Sequence, residues 1–193
     1  MSILERYLLY LKNQKFRPSD APNLLLEART SIPKPDNIII RDVRVAQRFI
    51  EFDVSLSGQE LLDRIVLNAL STIAEFESYE IVKEENLSKE EAIDRARNLF
   101  NNEKFWKCHE VLEVVWKQAE GDEKKLLNGV ILVAAALVHF QKGENGICMN
   151  ILKRADAKIK SGKEEEYYRI KLDSLKENLR KIIDTGTIIP LKL

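Results

Sequence analysis

The stretch FWKCHEVLEVVW, residues 105–116, carries side chains that can move protons or ligate a metal, set at helical spacing. Each helical residue advances by about 100°. Glu113 therefore lies roughly 40° from His109, and Trp116 about 20° to its other side. Phe105, Cys108, Leu112 and Val115 fill the arc beyond Trp116, with Val111 at its far end. His109 and Glu113 stand side by side at the border of an apolar face, and Glu110 points about 100° away. An imidazole and a carboxylate at i, i+4 can reach one ion, or shift each other's protonation for acid–base work. The pattern is not the HExxH signature of zinc proteases, because Glu113 stands where the second histidine would.

A second polar pair lies on the apolar run that follows. Asn128 and His139 are eleven residues apart, which returns them to nearly the same side of a helix, with Leu132 and Ala135 between them. If that side faces the first helix, the two histidines share one cleft with Glu113, Asn128 and Trp116. Three readings stay open at this point. His109, Glu113 and His139 ligate a divalent metal, with Glu110 as a base for hydrolysis. The cleft takes a small molecule or a protein partner. Or the polar groups hydrogen-bond to one another to offset their burial.

The elements that must position these residues fall into two halves. In residues 1–84, ERYLLYLKN reads as a strand, PSDAPNLLLEARTSI as a helix and NIIIRDVRVAQ as a second strand. In RFIEFDVSL, Ile50, Phe52, Val54 and Leu56 alternate with Phe49, Glu51, Asp53 and Ser55, the period of a half-buried strand. GQELLDRIVLNAL has helical spacing, and STIAEFESYEIV reads as a last strand. The order β-α-β-β-α-β predicts a ferredoxin-like domain. A linker is placed at about residues 83–88. Residues 88–193 predict a helical bundle, opened by a Ser88–Glu91 capping box. The run from Val130 to Leu137 has no polar face and must be enclosed by its neighbours. The last helix is expected over EEEYYRIKLDSLKENLRKII, ending near Gly186.

Composition narrows the function. The 193 residues hold 31 basic and 31 acidic side chains, so no global field recruits nucleic acid or membrane. Arg41, Arg44 and Arg48 cluster on or beside the central strands and form a candidate RNA-facing strip. Residues 1–84 nevertheless hold 11 basic against 13 acidic groups, and RFIEFDV lacks the glycine–aromatic pattern of an RNA-recognition sheet. Cys108 and Cys148 read as small core residues. The start MSILERYLLYLKNQ is a poor signal peptide, and no apolar run approaches the roughly 20 residues that span a bilayer. The expected setting is cytoplasmic.

From near Ala92 to near Lys160 the sequence resembles the domain-of-unknown-function 309 family, small helical proteins of archaea and bacteria. The motifs that carry the resemblance are LFNNEKFWKCHEVLEVVW, LLNGVILVAAALVHF and GENGICMNILKRA. The family's His-Glu-x-x-Glu and later Trp map onto His109, Glu110, Glu113 and Trp116. Its central helix often begins Gln-Gly with a second Gln three residues on, where this chain has Asn128, Gly129 and Leu132. It often has Gly where this chain has Glu103, and Glu-Ala where it has Lys107-Cys108. The resemblance implies a helical bundle and assigns no reaction.

The expectation is an α+β protein with two domains, 1–84 and 88–193, acting in binding or assembly through the polar cleft or the sheet. A metal-dependent hydrolase and an RNA- or ribosome-associated factor are the alternatives. Self-association is expected through Trp106, Trp116, Tyr167 and Tyr168.

Overall fold

The computed structural model describes residues 4–32, 37–83, 85–160 and 165–193. It is a mixed α+β chain of two compact units, residues 1–84 with 141–143, and residues 85–140 with 144–193. Glu84, within the expected linker, lies outside the described residues.

The first unit is a four-stranded antiparallel sheet, β1 (Glu5–Lys12), β2 (Ile38–Val45), β3 (Phe49–Leu56) and β4 (Phe76–Ile81), in the order β2-β3-β1-β4. Helix α1 (Ala21–Ser31) connects β1 to β2. Between β3 and β4 run α2 (Gln59–Leu61), a π turn (Leu62–Val66) and α3 (Leu67–Leu70). Tyr7, Leu9 and Leu11 of β1 share a core with Phe52 and Val54 of β3, Leu24 and Ala28 of α1, and Leu62, Val66 and Leu70. On β2, Ile40 and Val43 both reach this core because a bulge at Arg41 inserts one residue into the register. The guanidinium of Arg29 on α1 donates to the carbonyl oxygens of Ile40 and Arg41, at 3.0–3.1 Å.

The alternation in β3 does not produce the expected half-buried strand: Glu51 and Asp53 are 2% and 1% exposed. The strand register explains how two carboxylates tolerate this. Arg44 lies opposite Glu51 across β2 and β3 and pairs with it, while also reaching Asp53 at 3.1 Å. Arg6 of β1 grips Asp53 with two bonds, at 2.8 and 2.6 Å. Burial alone would raise the Asp53 carboxyl, but the Arg6 hydrogen bonds and the charges of Arg44 and Arg6 hold it below the usual range. Burial likewise opposes the charge on Arg44, and Glu51 and Asp53 more than restore it.

The second unit is helical: α4 (Lys89–Asn101), α5 (Phe105–Gln118), α6 (Gly121–Gln141, all but its last residue in this unit), α7 (Asn145–Lys160) and α8 (Leu172–Thr185). The Ser88–Glu91 capping box forms at the start of α4. Along α6, Val130, Ile131, Val133, Ala134, Ala136 and Leu137 are buried in one core with residues of α4, α5, α7 and α8. The helices come very close at Gly129, where an added Cβ would stand 2.6 Å from Ile159 Cγ1 and 3.3 Å from Lys158 Cβ.

One expectation is corrected. The last helix begins only at Leu172, and the residues before it form a hairpin of β5 (Glu166–Tyr167) and β6 (Ile170–Lys171). Its two-residue turn, Tyr168 and Arg169, has positive φ at both positions (45° and 65°), the backbone that matches strand twist in tight hairpins. Long-range contacts hold it against local helical preference. The Tyr167 hydroxyl donates to Glu123 at 2.8 Å, and Ile170 is buried.

Gly129→Ala is expected to destabilise the helical unit by about 1–3 kcal/mol, since β-branched Ile159 cannot swing aside. Trp106 and Trp116 both lie in that unit, so fluorescence-detected urea unfolding reads the change directly. For the sheet, a carboxylate with a depressed folded pKa contributes stability above its unfolded pKa of about 4, lost as pH falls through the folded value. Asp53→Asn should cost about 3–5 kcal/mol at pH 7. Circular dichroism of denaturant unfolding between pH 3 and 7 should show a shallower acid loss than the parent.

Candidate functional site

The turn that aims α5 is set by the end of α4. The Glu103 N–H donates to Phe100 O and the Lys104 N–H to Leu99 O, both at 2.9 Å, the pair of bonds that closes a Schellman motif. That motif needs a left-handed residue, and here it is Glu103, with φ of 59°. The glycine that the family resemblance places at this position thus has a conformational reason.

From that turn, α5 drives Phe105, Cys108, Leu112 and Val115 into the core, with Phe105 edge-on to Phe100 at 5.0 Å between ring centroids. His109 and Glu113 lie at the border of this stripe and are half-buried, their side chains 25% and 39% exposed. His109 Nε2 is 3.6 Å from Glu113 Oε1, and its Nδ1 is 3.3 Å from Glu110 Oε1. Glu110 therefore comes to the imidazole despite its 100° offset, because its flexible side chain spans the gap between neighbouring residues. Ligand atoms of His109, Glu110 and Glu113 all lie within 4.8 Å of one another. Two carboxylates thus address the two ring nitrogens from different sides.

The remaining candidate residues have separate settings. Trp116 is half-buried, with the Lys124 ammonium 5.1 Å from its ring centroid. On α6, Asn128, Leu132, Ala135 and His139 are half-buried along one side, while the other residues from Leu126 to Leu137 are buried. His139 Nδ1 is held by the Glu144 carboxylate at the start of α7, and the Glu144 N–H donates to His139 O at 2.9 Å. His139 does not belong to the cluster around His109. Sequence reasoning missed Glu144. An acid five residues beyond a histidine, across a glycine turn, was the available signal.

Neither cysteine suits ligation or nucleophilic attack. Both are buried and free. Burial pushes the Cys108 thiol far up and the Cys148 thiol up to about 11, so the thiolate is scarce. Of the three arginines in the candidate RNA strip, Arg44 is buried in the sheet's ion network. Arg41 and Arg48 are exposed, and Arg41 Nε donates to Ser55 Oγ at 2.6 Å.

The family model described as Domain of unknown function (DUF309) matches residues 93–151 of this chain. That span runs from the first turns of α4 into α7 and contains His109, Glu110, Glu113, Trp116, Asn128 and His139. Among solved structures, a conserved hypothetical protein from Thermus thermophilus is 31% identical. The alignment covers 47% of this chain and 94% of that one, with a TM-score of 0.41. No curated protein matches the chain. Among the described residues, no helix is long and apolar enough to cross a membrane.

Glu103→Gly should remove the left-handed penalty at the α4–α5 turn and stabilise the helical unit by about 1 kcal/mol. A rise in the urea midpoint with an unchanged slope would show it.

Proposed function

We propose that this chain, whose helical unit carries the DUF309 segment at residues 93–151, is a binding module that holds a divalent transition-metal ion on α5. One observation carries the reading: the imidazole of His109 and the carboxylates of Glu110 and Glu113 converge at the half-buried edge of a helix. Donor atoms 3.6 Å apart, as His109 Nε2 and Glu113 Oε1 are, can both lie about 2.1 Å from one ion. Glu110, on the Nδ1 side, then plays the outer carboxylate that fixes the ring's tautomer and raises its basicity. Ligation by one imidazole and one carboxylate leaves positions open for water, a small ligand or a donor from a partner.

The engagement of His139 by Glu144 favours cation binding over a three-ligand hydrolytic centre that includes His139. Burial of Arg44 similarly leaves less of the arginine strip for RNA. We take residues 1–84 and 88–193 as two domains. The order β2-β3-β1-β4, with helices after β1 and β3, supports reading the first as ferredoxin-like. Two buried free thiols fit a reducing, cytoplasmic setting.

Untagged protein purified without chelator should carry about one transition-metal ion per chain by elemental analysis. His109→Ala should abolish that content, and Glu110→Gln should weaken affinity by about 10–100-fold, as losses of outer-shell partners do. Metal-free protein that also fails to bind added zinc would overturn the reading.

A further inference from the structure

Beyond α8 the chain turns at Gly186, in the left-handed conformation (φ 69°), and continues as Thr187–Leu193 without helix or strand. This segment nonetheless lies against the helical core. Leu191 is buried, and Ile188, Ile189 and Leu193 pack on the same cluster. Ile189, Leu191 and Leu193 alternate with exposed Pro190 and Lys192, the two-residue period of an extended peptide with one side down.

Its backbone is read by one side chain. Asn101, the last residue of α4, accepts from the Leu193 N–H with Oδ1 and donates with Nδ2 to Leu193 O, both at 3.0 Å. A side-chain amide making both bonds imitates the pairing of a neighbouring strand, and it recognises any extended residue regardless of its side chain. The Lys192 ammonium donates to the Asn101 carbonyl at 2.6 Å. Helix α4 has no basic residue in its own last turn, so this lysine supplies the cation that the negative end of a helix favours. Among the described residues no strand pairs with the segment. Pro190 lacks the N–H that a regular ladder would need.

We propose that this strip of the helical unit is a docking site for an extended apolar peptide, and that Thr187–Leu193 is its resident, exchangeable occupant. The site reads three features: apolar side chains two residues apart, a basic residue between the last two of them, and an extended backbone unit opposite Asn101. The segment is held by the Asn101 amide, the Lys192 ammonium and the apolar contacts of Ile188, Ile189, Leu191 and Leu193. Among the described residues it joins no strand ladder, which sets it toward the low-stability end of local opening. Gly186 gives it a hinge. While the segment is bound in place, it excludes a competitor of the same class.

The test uses the whole 193-residue chain and a fluorescein-labelled peptide of sequence TIIPLKL. Leu191→Asp places a charge in the buried position and should release the resident segment. By fluorescence anisotropy this variant should bind the peptide at least tenfold more tightly than the parent chain, and adding Asn101→Ala should return binding to the parent level or below. Hydrogen exchange should show loss of protection in residues 187–193 of Leu191→Asp, with α4 and α8 unchanged. The proposal is overturned if the variant binds the peptide no better than the parent. It is equally overturned if α4 and α8 lose protection together with the segment, because the segment would then be a fixed part of the core.

Discussion

The helical unit is organised by the need to enclose α6, a helix whose middle turns offer water almost nothing. An apolar helix of that kind is stable only when its neighbours approach on nearly every side. Small residues meet that demand: Ala134 and Ala136 are fully buried, and Gly129 lets the backbone of α6 come against Ile159. Along those middle turns the side left partly open is the stripe of Asn128, Leu132 and Ala135, with His139 just beyond. The polar groups of that stripe thus lie where enclosure is incomplete, and the His109 group on α5 stands at such an edge as well.

The sheet solves a different problem. Its β3 strand is buried on both faces, yet one face carries Glu51, Asp53 and Ser55. Burying lone carboxylates is costly, whereas carboxylates held by guanidinium groups in good geometry are tolerated. Two antiparallel neighbours bring Arg44 and Arg6 to the right places, so strand register and charge balance impose the same alignment. A slip by one residue would both misplace the apolar face and strand the charges.

Much of this was legible in the sequence, and each miss has a physical cause. Period-2 and period-3.6 patterns located β3, α5 and α6, and Ser88 with Glu91 marked the start of α4. The hairpin at Tyr167–Ile170 was not legible, because its stability comes from Glu123, more than forty residues away, and no glycine advertises the turn. The burial of Arg44 was hidden for a similar reason. A charged residue on a strand reads as solvated until its cross-strand partner is known, and that depends on a bulge at Arg41. At the candidate site, the spacing of His109 and Glu113 was readable from helical geometry. The arrival of Glu110 depended on side-chain conformation, and the capture of His139 by Glu144 on a tight turn, neither of which periodicity describes.

The guanidinium of Arg29 bears on how copies of this chain can meet. Many small sheets associate by continuing their strands across a two-fold axis, edge against edge. Along β2 an incoming strand would have to displace Arg29 from the carbonyl oxygens of Ile40 and Arg41 before forming its own bonds there. The bulge at that point already bends the edge away from a straight template. The β2 margin is therefore guarded against self-templated growth by a residue that belongs to a helix rather than to the sheet.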